Sequence, residues 1–422
     1  MKTDVVALIL AGGRGTRLNL IAAKRAKPAV PFAGMFRIID FTLTNVMVSE
    51  VRHVGVLTQY RPTSLMDHLG DGDSWDLSGV RASLQVLPPS LGRAHSDWYR
   101  GTADAVYQNI GFLRALEPRD VLILSGDHIY SMDFRPMIER HRASGADLTI
   151  AAMEVPWEEV SRFGVMKIDA DDNITEFIEK SPERTSNIAN MGIYIFRREA
   201  LLEELHRNCP EGRFDFGAHV IPGMLGRRKI LAHRFSGYWR DVGTLGSYWS
   251  ANMDALDPST GLDLSAWRAR TNLDGRMQVF HPAAVLAAGS HVRNSLVSRG
   301  CVIEGEVTGS VLSPGVRVGR GARVVDSVVM HDVTIEKGAS VERAILDKDV
   351  TVGAGTRLGR ADARGGMNEH FPTHLSDGIT VVGKGTNIPA NSVIGANVLI
   401  GTEIGDNRLV ELRNVPDGGT VA

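Results

Sequence analysis

An eight-residue phrase recurs through the last third of the chain. Val-Leu-Ser-Pro-Gly-Val-Arg-Val at 311–318 returns as Val-Val-Met-His-Asp-Val-Thr-Ile at 328–335 and as Ile-Leu-Asp-Lys-Asp-Val-Thr-Val at 345–352. A further copy reads Val-Ile-Gly-Ala-Asn-Val-Leu-Ile at 393–400, and a looser one Leu-Val-Ser-Arg-Gly-Cys-Val-Ile at 296–303. The closing aliphatic residues fall at 303, 318, 335 and 352, a period near 17. Inside the period lie hexads such as Val-Gly-Arg-Gly-Ala-Arg from 318 and Val-Gly-Ala-Gly-Thr-Arg from 352. Three hexads per turn is what a parallel β-helix requires, with one aliphatic residue per side pointing inward and glycine at the corners. Residues 281–422 are therefore expected to form such a helix, interrupted by a loop excursion at 361–379.

The first 256 residues follow a different rule. Short apolar runs at 5–10, 54–58, 121–125 and 148–153 alternate with segments long enough for crossover helices, such as 103–116 and 134–144. That alternation predicts an α/β domain with a mostly parallel sheet, in which ligands sit at the carboxyl ends of strands. Residues 165–169 and 174–178 alternate apolar and polar instead, around Asp171-Asp172-Asn173, and predict an antiparallel hairpin. Residues 257–280 have little periodicity and read as a linker or a surface-packed connection.

The first strand runs into Leu-Ile-Leu-Ala-Gly-Gly-Arg-Gly-Thr-Arg at 8–17. Glycine lets a ligand approach the main chain closely. Bare N–H groups in such a turn, followed by a helix N-terminus, attract anions. Arg14 and Arg17 add permanent charge, and Lys27-Pro28 follows ten residues on. The spacing matches neither the dinucleotide fingerprint nor the ATPase P-loop. It predicts a polyphosphate cradle.

Net charge is −2 over 422 residues, so no basic field advertises nucleic acid. The two cysteines, Cys209 and Cys301, have no metal-ligand spacing and form no disulfide framework, which fits a reducing cytoplasm. No run is long enough to cross a membrane.

Carboxylates mark the remaining chemistry. Asp127, in Gly126-Asp127-His128 after an apolar strand, and Asp241, in Trp239-Arg240-Asp241-Val242-Gly243-Thr244, are each lone acids in apolar settings. Taken singly, either could cap a helix. Together they suggest a Mg²⁺ clamp on a nucleoside triphosphate, since Mg²⁺ takes one or two carboxylates plus phosphate oxygens. Glu179-Lys180 pairs a potential acceptor of sugar hydroxyls with a phosphate-binding point charge. Trp98-Tyr99-Arg100-Gly101-Thr102 offers a ligand wall or merely a capped helix. His53, His68, His141 and His233 show no catalytic or metal spacing and are expected to be structural or solvated.

These motifs, in this order, resemble bacterial ADP-glucose pyrophosphorylases (glucose-1-phosphate adenylyltransferases). The resemblance covers nearly the whole chain. It is carried by residues 11–18, 25–30, 36–41, 98–109, 125–130, 163–166, 177–180, 191–196 and 238–249. It implies a Rossmann-like nucleotidyltransferase domain followed by a left-handed parallel β-helix. The implied reaction converts ATP and α-D-glucose 1-phosphate to ADP-glucose and pyrophosphate, in glycogen biosynthesis. By matching positions, Leu10, Ala11, Gly12, Gly13 and Thr16 would hold the nucleotide. Arg14, Arg17 and Lys27 would bind its triphosphate, and Asp127 and Asp241 would carry Mg²⁺. Tyr99, Gly164, Glu179, Lys180 and Asn190 would surround glucose 1-phosphate. Lys24, Arg25 and Arg37 fall on effector positions for sugar phosphates and AMP, between the two domains. Gln59 and Trp98 match positions that transmit activation. A homotetramer is implied, with part of its interface on the β-helix.

The chain departs from the family pattern at Ile21-Ala22, at Pro31 where a histidine is usual, at Ser90-Leu91, at Ser181-Pro182 and at Asn190 in place of serine. A regulatory, non-catalytic subunit is the competing reading. Retention of Arg17, Lys27, Asp127, Lys180 and Asp241 argues against it.

Overall fold

The structure is a computed structural model that describes residues 4–13, 15–89, 98–180, 185–273, 281–360, 362, 366–404, 408 and 410–422. Strand Val5–Leu10 lies inside a nine-stranded sheet. It pairs in parallel with His53–Leu57 on one side and Asp120–Ser125 on the other, and Ser83–Leu87 adds in parallel beyond His53–Leu57. Val6, Ala7, Leu8 and Ile9 are fully buried, as strands covered on both faces require. The long strand Ile188–Arg197 then runs antiparallel to both Asp120–Ser125 and Leu148–Glu154, so the parallel half gives way to a mixed half. The expected hairpin is present: Gly164–Ile168 pairs antiparallel with Ile174–Glu179.

Two local expectations change. The glycine turn leads into a tight 3-10 run, Thr16–Ala22, rather than an α-helix. Gly15 enters it at φ +62°, and a Cβ there would stand 3.1 Å from Ala22 and 3.2 Å from Lys27. The chain folds back closely on itself there, and the positive φ favours glycine. The 103–116 segment is two helices, Thr102–Gln108 and Ile110–Leu116. Asn109 separates them, and its side-chain amide donates to Ala105 O at 2.8 Å.

A separate two-stranded ribbon brings distant chemistry together. His128–Tyr130 pairs antiparallel with Trp239–Asp241, setting Asp241 opposite His128 and therefore beside Asp127.

The C-terminal part is a left-handed β-helix of three parallel sheets, with six, seven and seven strands among the described residues. On the first sheet the strands include Arg317–Val318, Thr334–Ile335 and Thr351–Val352, with the second residue inward and the first toward solvent. On the third sheet five successive pairs are apolar at both positions: Val311 and Leu312, Val328 and Val329, Ile345 and Leu346, Val381 and Val382, and Leu399 and Ile400. Their second residues fill the β-helix, while Val328, Ile345, Val381 and Leu399 face outward into a core shared with Phe32, Phe36, Leu245 and Tyr248. This outward aliphatic stripe docks the β-helix on the α/β domain. Each such buried side chain is worth about 1.5–3 kcal/mol relative to exposure.

The repeat copy read at 393–400 is out of phase by one hexad. Val381 and Val382, not Val393 and Ile394, pair with Ile345 and Leu346, and Ile388 pairs with Val352. The copy continuing the series is 381–388. Hexads look alike, so an inserted excursion conceals which side of the triangle resumes. The stretch after 257 is a packed connection as far as residue 273. Leu262 is buried, the Trp267 ring lies 5.1 Å from Phe41, and Arg270 N donates to Thr44 Oγ1 at 3.1 Å. Among the described residues no helix is long and apolar enough to cross a membrane.

Candidate active site

Three parallel strands end together. Ala11 N donates to Leu57 O at 2.8 Å and Gly126 N to Leu10 O at 3.0 Å. Beyond these ends lies a cavity of about 300 Å³ lined by Leu10, Ala11, Gly12, Gly13, Lys27 and Asp127 among others. Gln59 crosses its floor, donating to Gly12 O at 3.3 Å and accepting from Tyr99 N at 2.7 Å. Gln59 thus belongs to the cavity wall, while Trp98 beside it is exposed. Gly13 is exposed and has open space around it. Arg14 and the side chain of Thr16 lie outside the described residues.

Lys27 is the hub of the site. Its 3-10 turn, Lys27–Ala29, is buried, and Nζ reaches Asp127 Oδ2 at 2.7 Å and Asp241 Oδ1 at 3.4 Å. Ser125 Oγ donates to Asp127 Oδ1, and His128 Nε2 stands 3.6 Å from Asp127 and 3.9 Å from Asp241. Burial pushes Asp127 upward, but the Lys27 ammonium, the His128 ring and the hydrogen bonds from Lys27 and Ser125 outweigh it. They hold the carboxyl well below the usual carboxylate range. Asp241 is lowered for the same reason: burial opposes, and Lys27 and His128 win. A Cβ on Gly243 would lie 2.9 Å from Asp241 and 3.2 Å from Arg17 Nη2, so carboxylate and guanidinium converge on that glycine.

The described residues fit a divalent cation. Two ionised carboxylates already flank one positive charge, that of Lys27, and they offer oxygen only, which suits Mg²⁺ completed by phosphate oxygens. Among the described residues no group of three or more His, Cys, Asp or Glu could hold a metal ion alone.

The second half of the site is built from the hairpin. Glu179 ends its strand, and Lys180 follows with Nζ exposed, 3.4 Å from Glu179 Oε1. Burial, and then the neighbouring Asp215 charge, raise the Glu179 carboxyl above its ordinary value, against the pull of Lys180. Glu179 Oε2 sits between two glycines: a Cβ on Gly164 or on Gly217 would come within 2.5 Å of it. Asn190 lies where the pairing of Ile188–Arg197 shifts register, with its amide donating to Tyr194 OH at 2.8 Å. Tyr99 contributes its ring to the cavity. Its hydroxyl donates to Leu87 O and accepts from Asn109, both at 2.9 Å, and burial pushes it up to about 12.

Sequence reasoning missed Asp215 and Gly217. Asp215 lines the cavity and accepts from Thr102 Oγ1 at 3.0 Å and Ala218 N at 2.9 Å. Phe214-Asp215-Phe216-Gly217 carries no spacing that would separate it from a helix cap, a role Asp215 also fills. The scattered histidines are structural where expected: buried His68 pairs with Asp40 at 2.5 Å, and buried His141 with Thr149 at 2.8 Å.

Lys24, Arg25 and Arg37 meet elsewhere. They line a cavity of about 540 Å³ between the domains, opposite His331, Lys348 and Lys384 of the β-helix. Arg25 makes a buried ion pair with Asp347 at 2.8 Å, and Lys24 reaches Glu403 at 3.0 Å. Burial, reinforced by Arg37 and Arg25, pushes the Lys348 ammonium down to about 7.

A glycine cradle at parallel strand ends, a lysine between two carboxylates and an adjacent Glu-Lys pair define a nucleotidyl transferase. The nucleotidyl transferase family model matches residues 6–258, and a GlmU-like, C-terminal hexapeptide model matches 282–382. A glucose-1-phosphate adenylyltransferase of Thermotoga neapolitana is 49% identical over 408 residues, covering 95% of each chain. One from Thermomicrobium roseum is 48% identical, covering 99% of this chain and 98% of its own. One from Thermotoga maritima is 50% identical over 94% of each. The chain belongs to the glucose-1-phosphate adenylyltransferase family.

Proposed function

We propose that this chain forms ADP-glucose and pyrophosphate from ATP and α-D-glucose 1-phosphate. The observation that carries the reading is Lys27 Nζ held between Asp127 and Asp241, with Lys27 and Asp127 lining the same cavity as Gly12 and Gly13. A phosphate oxygen of the sugar attacks the α-phosphorus in line. The new P–O bond forms as the bond from the α-phosphorus to the bridging oxygen breaks, and pyrophosphate leaves with that electron pair. No covalent enzyme intermediate is needed, so catalysis rests on positioning and charge neutralisation.

Gly12 and Gly13 give the nucleotide a close approach to the main chain. Lys27 and Arg17, with Arg14, neutralise the triphosphate. Asp127 and Asp241 would hold Mg²⁺, which when bound screens phosphate charge as a Lewis acid. Lys180 takes the sugar phosphate, and Glu179 accepts sugar hydroxyls from its place between Gly164 and Gly217, with Asn190 and Tyr99 completing the wall. Incubating the purified chain with each pairing of the four ribonucleoside triphosphates and several hexose 1-phosphates tests the assignment. ADP-glucose as the preferred product supports it. A different base or sugar, or no pyrophosphate release, overturns it.

The basic cavity between the domains is the proposed effector site, for phosphorylated metabolites such as sugar phosphates and AMP, with Lys24, Arg25 and Arg37 as contacts and Gln59 and Trp98 on the path to the active site. The chain is proposed to act in the cytoplasm, in glycogen synthesis and as a homotetramer.

A further inference from the structure

Asp241 has two oxygens, and they face different neighbours. Oδ1 is turned to Lys27 at 3.4 Å and His128 at 3.9 Å. Oδ2 is turned to Arg162 Nη2 at 3.5 Å. Arg162 closes the short turn Val160–Arg162, and its other nitrogen, Nη1, is anchored on Glu159 Oε2 at 3.2 Å. Its Nη2 is buried and makes no hydrogen bond to the described residues, so the guanidinium is fixed at one end with spare donor capacity at the Asp241 end. The same turn leads directly into the sugar-phosphate half of the site. Phe163 O accepts from Lys180 N at 3.1 Å, Gly164 packs against Glu179, and the Phe163 ring lies 5.2 Å from Trp239, two residues before Asp241.

We propose that Arg162 is a positioning residue for nucleotidyl transfer: it holds Asp241 by Oδ2, keeping Oδ1 turned toward Lys27 and the place of the cation, and ties that carboxylate to the turn carrying the sugar-phosphate subsite. The inference rests on the assignment of Asp241 to the metal–triphosphate. Its physical logic is that of an outer partner that orients a metal-binding carboxylate, whose removal costs about 10–100-fold in metal affinity or activity. An arginine suits the task because its planar fork spans Glu159 and Asp241 at once. The guanidinium also borders a second cavity of about 540 Å³, shared with Arg240, Ser247 and Arg343, so a small soluble guanidinium could reach the vacated place in a truncated variant.

The test uses the full chain as R162A, R162M and D241N. Free Mn²⁺ is measured by electron paramagnetic resonance in the presence of ATP without sugar phosphate, so that no turnover is needed. R162A is expected to raise half-saturating Mn²⁺ about tenfold, and methylguanidinium to restore part of the loss. R162M keeps the aliphatic stem and carries the same expectation should R162A fail to fold. Wild-type Mn²⁺ binding in the arginine variants, alongside lost binding in D241N, overturns the role of Arg162 alone. Wild-type binding in D241N overturns the metal assignment, and this inference with it.

Discussion

Arg25 and Lys27 stand two residues apart and serve different sites. Arg25 pairs with Asp347 of the β-helix at 2.8 Å, and Lys27 pairs with Asp127 of the candidate active site at 2.7 Å. One short segment therefore touches both the inter-domain cavity and the proposed reaction centre. A displacement of the β-helix at Arg25 has only Ala26 to cross before it reaches Lys27.

That adjacency separates two variants. Lys24→Ala removes a half-exposed charge from the inter-domain cavity and leaves Lys27 in place. It is expected to lower the response to an anionic effector more than the unactivated rate, read as the activation ratio in a pyrophosphate-release assay. Equal loss of both would move Lys24 into the active site.

Arg25→Ala has a stability cost as well. Arg25 and Asp347 are both almost fully buried. Removing the arginine leaves an unpaired carboxylate in the interface, which costs about 3–5 kcal/mol. A clearly lowered unfolding midpoint is expected, and the double variant Arg25→Met with Asp347→Leu is expected to recover most of it. Calorimetry of the three chains checks both statements.

Lys348 gives the pH dependence. Its folded pKa, about 7, lies below its ordinary 10.5. The unfolded chain thus binds more protons between those values, and the cost of burying the ammonium beside Arg37 and Arg25 is complete below about pH 7 and fades as pH rises toward 10.5. Lys348→Met should raise the unfolding midpoint at about pH 6 and change it little at about pH 10. The same variant should bind anionic effectors more weakly at the lower pH. Melting curves and effector titrations at both pH values check this.

Gly217→Ala tests the seat of Glu179. The added Cβ would come within 2.5 Å of Glu179 Oε2 and displace it. Losing a hydrogen bond to a charged group costs about 1.5–3 kcal/mol. The KM for glucose 1-phosphate should rise by about tenfold or more, with the KM for ATP little changed. Equal rises in both would place Glu179 elsewhere in the mechanism.

Much of this was legible in the residues themselves. Aliphatic spacing announced the β-helix, and Gly12 and Lys27 stood out after the first strand, while Asp127 and Asp241 gained meaning only when taken together. What the sequence could not show was why Asp127 and Asp241 meet, because the ribbon pairing His128 with Asp241 joins segments over a hundred residues apart. The phase of the last coils was hidden by the excursion before Ile379. Arg162 was invisible for a different reason: its value depends on the direction of one side chain from a three-residue turn, and no periodicity marks that. The run after Gly15 is 3-10 where an α-helix was expected, and no spacing in Thr16–Ala22 distinguishes the two.

The central claim is that the Lys27–Asp127–Asp241 cluster performs nucleotidyl transfer. Asp127→Asn preserves size and removes the charge that faces Lys27 at 2.7 Å. The direct measurement is kcat for pyrophosphate release from ATP and glucose 1-phosphate, with circular dichroism and sedimentation confirming an unchanged fold and assembly. A fall on the order of 10²–10³-fold or more is the result predicted. Near-normal turnover in the folded variant would contradict the account.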